Sequence, residues 1–200
     1  MGRMKLHLGA FDQAMGGWVN TDITPHIWIS KVPFLPFVLY KLNMMTSDRY
    51  HQHRRGVFKK LRYLNLKKPL PFPSDSAEAI FSSHVLEHLF MDEVEQLILE
   101  MHRVLKPGGI CRVVVPDLEK IVALYGPDDP REFLEGVFEI SKRGAVKNQH
   151  HCGFTGRFLT KLFSEAGFSE CSIEQFRAGK CPNIEQLDNR PESLFFEAVK

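Results

Sequence analysis

Two histidine-containing segments carry the side chains best suited to proton transfer. The first, "SSHVLEHL", places His84, Glu87 and His88 directly after a predicted strand. Because histidine titrates near neutral pH, His84 could take a proton from a hydroxyl group or contact a substrate. The alternative is a structural role for His84 at the start of a helix, and the simpler interpretation of Glu87 and His88 is a helix cap and its packing partner. This segment therefore supplies one candidate base, His84.

The second segment, "NQHHCGFT", carries His150, His151 and Cys152. Two histidines and a cysteine are ligand types that bind transition metals. However, the histidines are adjacent in the chain, and no fourth ligand has a suitable spacing from them. From the spacing alone we expect no metal site.

A carboxylate at the end of the second predicted strand is a candidate for nucleotide binding. Asp22 ends a strand rather than starting a helix, and a carboxylate at that position can accept hydrogen bonds from the two hydroxyls of a ribose. The alternative is that Asp22 caps a turn before Thr24 and Pro25. The residue by itself leaves both interpretations open.

The turn after the first predicted strand lacks the glycine pattern of dinucleotide-binding proteins. In "LHLGAFDQAMGGWVNTDI" the turn reads Gly9, Ala10, Phe11, and the chain contains no Gly-x-Gly-x-x-Gly. Few residues separate Gly9 from Trp18, so a full helix is not expected in this crossover. A pyrophosphate cofactor such as NAD, and with it a nicotinamide-dependent oxidoreductase, is disfavoured.

The elements that must position these residues alternate between strands and helices. Strands are predicted at Lys5 to Leu8, Trp18 to Ile23, Leu61 to Leu66, Ala79 to Ser83, Gly109 to Pro116, Cys171 to Phe176 and Leu194 to Val199. Helices are predicted in "MDEVEQLILEMHRVLKPGG", capped by Asp92 and stopped by Lys106-Pro107-Gly108-Gly109, in "FLEGVFEISKRG", and from Thr155 to Ala166, closed by Gly167. This order predicts an α/β fold whose sheet is covered on both faces, with ligands bound beyond the carboxyl ends of its strands.

At these positions the chain resembles a known family. The succession "LHLG...GWVNTDI", "KKPLPFPSDSAEAIFSSHVLEHL", "EMHRVLKPGGICRVVVPDL" and "GFTGRFLTKLFSEAGF" is similar to class I S-adenosylmethionine-dependent methyltransferases of the type 11 group. The most specific part runs from Pro69 to Leu118. The resemblance implies a Rossmann-like, doubly wound, mainly parallel sheet with a final antiparallel strand, S-adenosylmethionine as cofactor, and methyl transfer to a small-molecule or saccharide acceptor.

The resemblance also implies roles for individual positions. In the family, the turn after the first strand wraps the methionine part of the cofactor, the acid ending the second strand holds the ribose, and the segment after the third strand lies beside the adenine. The residues after the fourth strand line the reactive end, and the loop before the last long helix lies over the pocket, so His151 could face the acceptor beside His84. The implied cofactor-binding residues are Gly9, Ala10, Phe11, Asp22, Asn65, Leu66, Ser82 and Ser83.

Two positions depart from the family pattern. Phe11 stands where the family usually has a second glycine, and Asn65 stands where it often has aspartate. Asn65 keeps a carbonyl acceptor but lacks the charge, so its hydrogen bond to an adenine would be weaker. The Phe11 substitution motivates an alternative hypothesis, in which the chain keeps the fold without catalysis and acts as a cofactor-binding or scaffold subunit.

Composition sets the remaining expectations. The 200 residues carry a net charge of +2, which is uninformative about partners, and the four cysteines form no Cys-x-x-Cys pair. With no apolar signal-peptide core at the amino terminus, reduced thiols and a cytoplasmic location are expected. Nucleic acid is not an expected partner, because the chain lacks the Asn/Asp-Pro-Pro-Tyr/Phe motif of DNA amino-methylating enzymes of this fold.

A single domain is expected over residues 1–200, with a helical insertion at about 27–60. Its apolar part, "IWISKVPFLPFVLYKLNMM", is interrupted by lysines and prolines and is a poor candidate for a membrane span. A basic run follows, with eight Lys or Arg and no acid between Arg49 and Lys68. The simpler interpretation is a helical cover with a solvated basic face. The alternatives are contact with a membrane surface or a lipid-linked substrate, contact of the basic run with an anionic substrate or nucleic acid, or an oligomer contact.

Overall fold

The computed structural model describes residues 4–138 and 149–200, and its centre is one seven-stranded sheet. The strands are β1 (Met4–Leu8), β2 (Val19–Asp22), β3 (Leu61–Tyr63), β4 (Ala77–Ser83), β5 (Leu105–Val115), β6 (Glu170–Glu174) and β7 (Leu194–Val199). Their order across the sheet is β3-β2-β1-β4-β5-β7-β6. Strands β1 to β5 pair in parallel, and β7 runs antiparallel to both β5 and β6. The predicted α/β class and the antiparallel final strand are confirmed.

Eight helices connect the strands in the described parts of the chain. They are α1 (His26–Ile29), α2 (Leu35–Lys41), α3 (Ser47–Arg54), α4 (Met91–Val104), α5 (Leu118–Ala123), α6 (Arg131–Phe138), α7 (Gly156–Glu165) and α8 (Ile184–Leu187). Short 3-10 turns occupy Val57–Lys60 and Leu86–His88. Over the described ranges, none of the helices has both the length and the apolar character that crossing a membrane requires. The helix predicted in "FLEGVFEISKRG" is present as α6 up to Phe138, and the rest of that segment lies outside the described residues.

Alternation along the strands divides the core between the two faces of the sheet. On β5, Val113 and Val115 pack into the larger cluster beneath α4 and α7, whereas Val114 packs on the opposite face with Trp18 and Ile184. Successive side chains of a strand point to opposite faces, so a strand buried on both sides must be apolar throughout. This explains the three consecutive valines from Val113 to Val115, whereas Arg112 is buried with carboxylate partners.

Helix α4 is amphipathic, and its start differs from the prediction. Its buried positions, Val94, Leu97, Ile98, Met101 and Val104, follow the helical period. The cap position is Phe90 rather than Asp92, and the Phe90 amide donates to Oε2 of Glu93 at 3.0 Å. The helix begins one residue earlier than Asp92 because Glu93 reaches back to the exposed amide, while Asp92 lies within the first turn.

The first crossover contains no helix, as the short spacing predicted. Between β1 and β2 the chain is held by Asn20, whose Oδ1 accepts from the Met15 amide at 2.8 Å and whose Nδ2 donates to the Met15 carbonyl at 2.9 Å. The third strand is shorter than predicted, because the chain turns after Tyr63 and Asn65 Oδ1 accepts from the Lys67 amide at 3.0 Å.

Residues 26–60 form helices α1 to α3 and the 3-10 turn Val57–Lys60, between β2 and β3. A small core joins this region to the first crossover: Ile27 and Phe58 pack with Ala10 and Leu61. Helix α3 therefore lies against the turn after β1.

A buried ion cluster lies on the face of the sheet opposite α4. Arg112 Nε donates to Oδ1 of Asp188 at 3.0 Å, and its Nη1 donates to Oε1 of Glu197 at 2.9 Å and to the Ala178 carbonyl at 2.8 Å. The Arg112 side chain is fully buried. We call Arg112, Asp188 and Glu197 the Arg112 cluster. It ties β5 and β7 to the residues on both sides of α8.

Candidate functional site

The turn after β1 has a backbone that favours glycine at two positions. Gly9 has φ +70°, and a Cβ built there would lie 2.2 Å from Cγ2 of Val85, so the turn passes directly against the loop after β4. Phe11 also has a positive φ, +40°. The turn therefore keeps a left-handed conformation at Phe11 even though the family's second glycine is absent.

The Phe11 ring points toward the insertion. The Arg49 guanidinium of α3 lies 4.4 Å from the centre of the Phe11 ring, and the Phe58 ring centre is 6.2 Å away. Arg49 also lies 3.6 Å from Asp12. Arg49 of helix α3 therefore holds the Phe11 side chain through a cation–π contact. The Phe11 ring, which replaces the second glycine of the family, contacts the insertion.

Asp22, at the end of β2, is connected to this turn by the backbone. Its Oδ2 accepts from the Phe11 amide at 3.0 Å and its Oδ1 accepts from the Thr24 amide at 2.7 Å. Burial raises the pKa of the Asp22 carboxyl, while the backbone hydrogen bonds from Thr24 and Phe11 oppose that shift. A carboxylate offers about four acceptor positions, so Asp22 retains capacity for a ribose diol.

The other predicted cofactor residues lie at the same edge. Asn65 and Leu66 follow β3, and Ser82 and Ser83 end β4. Because β3, β2, β1 and β4 are parallel neighbours, their carboxyl ends meet at one edge of the sheet. Ser82 Oγ is buried and has no hydrogen-bond partner within the described ranges. These groups fit a nucleoside cofactor, since they offer an acid for a ribose, an amide beside a base and a hydroxyl facing inward.

His84 directly follows β4, and both of its ring nitrogens have partners. Its Nε2 is 3.0 Å from Oγ of Ser193, and its Nδ1 is 3.0 Å from Oε1 of Glu87. The backbone at His84 is left-handed, with φ +52°, and its amide donates to the Val114 carbonyl at 2.8 Å. The fold therefore fixes the direction of this ring through partners on three different elements.

Glu87 is nearly fully buried, and its carboxylate is under-satisfied. Its exposed fraction is 1%, and neither carboxylate oxygen has a hydrogen bond of acceptable geometry in the described structure, despite the 3.0 Å approach of His84 to Oε1. Its backbone carbonyl accepts from the His151 amide at 2.7 Å and from the Cys152 amide at 3.3 Å. The side chain of Glu87 is therefore available for a ligand while its backbone performs a structural role.

A cavity of about 210 Å³ lies beside Glu87 at the carboxyl end of β5. Its lining includes Glu87, Pro116, Leu118, His150, His151 and Phe154. The His151 ring is exposed and stacks on Phe90 at 4.4 Å. Cys152 Sγ donates to the Leu89 carbonyl at 3.2 Å, and burial raises the pKa of this thiol. The structure thus brings the two histidine-containing segments together around one cavity.

The sequence did not predict a place in the site for three residues. Ser193, next to His84, lies just before β7, and nothing in its neighbourhood signals a contact with β4. Arg49 was assigned only to a basic run. Glu87 was interpreted as a cap, although an acid followed directly by a histidine at a strand end was the available signal.

The comparisons with known proteins agree with the observed fold. A family model described as "Methyltransferase domain" matches residues 40–113. An S-adenosylmethionine-dependent methyltransferase from Mesorhizobium loti is 19% identical, with 99% of this chain and 90% of that chain covered and a TM-score of 0.56. A SAM-dependent methyltransferase from Archaeoglobus fulgidus is 16% identical, with 99% and 86% covered and a TM-score of 0.56.

Larger methyltransferases also contain this fold. The CurJ carbon methyltransferase is 14% identical with a TM-score of 0.54, and 99% of this chain covers 48% of that one. The chain thus spans about half the length of that protein, and the same holds for the citrinin polyketide synthase CMeT domain, of which 46% is covered. At these identities the solved structures show a shared fold. The strand order, the solved structures and the family match over residues 40–113 together show that the chain has the fold of class I S-adenosylmethionine-dependent methyltransferases.

Proposed function

We propose that the chain transfers a methyl group from S-adenosylmethionine to an oxygen of a small-molecule or saccharide acceptor. The observation that carries the proposal concerns the carboxyl end of β4. The candidate cofactor residues end this strand, and the loop that follows it leads to the cavity. Ser82 and Ser83 end this strand on the cofactor side, and His84 and Glu87 follow within a few residues on the cavity side. A donor and an acceptor held in these two places would meet beside the end of β4.

The bound cofactor supplies an electrophilic methyl group on a sulfonium. In the proposed transfer, the acceptor oxygen would bond to the methyl carbon as the carbon–sulfur bond breaks with its electron pair left on sulfur, and the acceptor hydroxyl would give its proton to His84 or to water. Since positive charge disappears at the sulfur, the protein helps mainly by aligning the two molecules in a site with little water. Asp22 and the turn at Gly9 hold the donor, and the buried wall at Glu87 and Phe154 shapes the acceptor side.

The histidines predicted to be catalytic border this meeting point. His84 is held by Ser193 and Glu87, so it would need to release one of these partners to accept a proton. His151 lines the cavity but is stacked on Phe90. We propose that both contact the acceptor end, with His84 oriented by its partners.

The exposed apolar side chains of the insertion favour an acceptor attached to a lipid or held at a membrane surface. Phe34 is 82% exposed and Met44 72% exposed, and Lys31 Nζ lies 4.3 Å from the Trp28 ring centre. Apolar side chains next to lysines are typical of contact with an anionic lipid surface. A contact with a second subunit would use the same exposed side chains.

The experiment that tests the proposal is a calorimetric titration of the full chain with S-adenosylmethionine and S-adenosylhomocysteine. We expect both to bind, and we expect Asp22→Ala to weaken binding by about ten-fold or more, the loss of a charge-assisted hydrogen bond. Asp48→Ala is the matched control, because Asp48 is an exposed carboxylate on α3.

The alternative, a methyltransferase fold that acts as a scaffold, gives a different result. A well-folded wild-type chain that binds neither compound would overturn the enzyme proposal. Binding that is equal in wild type and Asp22→Ala, with both proteins folded by circular dichroism, would place the ribose elsewhere.

A further inference from the structure

We propose that Glu87, His88 and His150 form a binding site for one divalent transition-metal ion at the wall of the acceptor cavity. The three residues come from two segments of the chain, the 3-10 turn Leu86–His88 and the segment before α7. One ligand atom of each, a carboxylate oxygen and two ring nitrogens, lies within 4.8 Å of the others. We call these three residues the Glu87–His88–His150 group.

The separation of these atoms is compatible with a shared ion after small side-chain rotations. A metal with ligands at about 2.0–2.2 Å holds neighbouring ligand atoms about 3–3.5 Å apart. Since the ligand atoms lie within 4.8 Å of one another, the separations exceed the bound geometry by at most about 1.3–1.8 Å. Changes of χ angles alone can close this gap, because the backbone of both segments is already in place.

The under-satisfied Glu87 carboxylate is the independent observation that points to a cation. It is nearly fully buried and has no hydrogen bond of acceptable geometry within residues 4–138 and 149–200. A buried carboxylate without partners is costly, since its charge has lost its solvation without replacement. Its closest counter-group is His84 Nδ1 at 3.0 Å, and Oε2 has none in the described structure. Glu87 also lines the cavity.

The surrounding contacts fix the two segments relative to each other. The Glu87 carbonyl accepts from the amides of His151 and Cys152, so the residue after His150 is tied to the turn that carries Glu87 and His88. His88 Nδ1 lies 3.4 Å from the Gln149 carbonyl. If Nδ1 donates to that carbonyl, Nε2 is left to bind a metal, which is how the second nitrogen of a ligating histidine is commonly used.

The ligand types narrow the class of ion. Two imidazoles and one carboxylate suit Zn²⁺, Co²⁺, Fe²⁺ or Mn²⁺ better than Ca²⁺, which prefers oxygen ligands. Three protein ligands leave coordination positions open for an outside oxygen. Since Glu87 and His150 line the cavity, those positions would face an acceptor there.

This inference deepens the proposed function and rests on it for the role of the ion. A hydroxyl bound to a divalent cation loses its proton to water more readily, and its oxygen can then attack the methyl group. The acceptor class that follows is a hydroxyl-bearing molecule. The sequence spacing argued against a metal at His150, His151 and Cys152, and the present group differs because it takes Glu87 and His88 from the other segment.

The test is a titration of the EDTA-treated, dialysed full chain with Co²⁺, followed by visible absorption, and with Zn²⁺, followed by calorimetry. We expect one equivalent of each ion to bind and to compete for the same site. Glu87→Gln and His150→Ala should each weaken binding by at least about ten-fold. His51→Ala is the matched control, since His51 is an exposed histidine on α3, and it should leave the affinity unchanged.

The possible outcomes separate this inference from the proposed function. A folded chain that binds S-adenosylhomocysteine but neither metal ion overturns the metal site and leaves the proposed function intact. Metal binding that is equal in wild type and Glu87→Gln also overturns it, because Glu87→Gln keeps the side-chain shape and is expected to fold. Metal binding without any cofactor binding supports the site and overturns the proposed methyl transfer.

Discussion

Two groups of charged or titratable side chains, each containing a buried carboxylate, differ in how their polar atoms are satisfied. In the Arg112 cluster, the guanidinium donates to both carboxylates and to backbone carbonyls, and Glu197 also accepts from the amides of Lys180 and Cys181. In the Glu87–His88–His150 group, the carboxylate has no hydrogen bond of acceptable geometry in the described structure. The first group is complete without any ligand, and the second is not.

This difference separates a structural role from a functional one. A buried ion cluster whose members are all hydrogen-bonded holds elements together, and the Arg112 cluster joins β5 and β7 to Asp188, directly after α8. A buried carboxylate that the chain leaves under-satisfied lowers the stability of the fold. Its location beside a cavity at the carboxyl edge of the sheet gives a reason for that cost.

Breaking the Arg112 cluster should give the largest effect. Arg112→Ala leaves Asp188 and Glu197 buried without their cation, so we expect the free energy of unfolding to fall by about 3–5 kcal/mol. Urea denaturation followed by circular dichroism measures this change. Arg157→Ala, at an exposed arginine on α7, is the control and should change stability by less than about 0.5 kcal/mol. A loss below about 1 kcal/mol for Arg112→Ala would show that the cluster is not structural.

His7 on β1 is a buried titratable group of a third kind, because it avoids an uncompensated buried charge by staying neutral. Burial lowers the pKa of His7 on β1 from 6.5 to about 4, with a smaller opposing effect from Asn20. The unfolded chain therefore binds more protons than the folded chain between about pH 4 and 6.5, and stability is lost as the pH falls through this window. We expect this residue to contribute a slope of up to about 1.4 kcal/mol per pH unit there.

The measurement is the free energy of unfolding of wild type and His7→Phe at several pH values from 7 to 4. The variant should show a shallower fall, since Phe cannot titrate and an aromatic ring can keep the contact with Phe81. His53, whose pKa burial also lowers to about 4, contributes to the slope that remains. Parallel curves for the two proteins would mean that His7 is not kept neutral by burial.

Replacing Glu87 by its neutral isostere should give the smallest effect on stability. Glu87→Gln removes a buried charge whose carboxylate has no hydrogen bond of acceptable geometry in the described residues and keeps a side chain that can still contact His84, so we expect the free energy of unfolding in EDTA to change by less than about 1 kcal/mol or to rise. Asp188→Asn is the matched control in the Arg112 cluster, and it should destabilise the chain by about 2 kcal/mol or more. Comparable losses in the two variants would remove the distinction between the groups.

Much of the fold follows from local pattern. Helices α4 and α7 have an apolar face at helical spacing, and "CRVVV" has the β-branched composition of a strand buried on both faces. The lack of a helix between Gly9 and Trp18 follows from chain length alone. Boundaries were less accurate where a hydrogen bond from a side chain to the nearby backbone decides them: Glu93 moves the start of α4, and Asn65 holds the turn that follows β3.

Four features could be predicted from the sequence alone. They are the α/β class, the antiparallel final strand, the position of Asp22 at a strand end and the similarity to S-adenosylmethionine-dependent methyltransferases. Each depends on residues close together in the chain or on spacing along it. The tertiary structure decided the direction of the Phe11 ring, which follows from contacts with Arg49 and Phe58, and the meeting of Glu87 and His88 with His150. These depend on contacts between distant segments, which spacing along the chain does not encode.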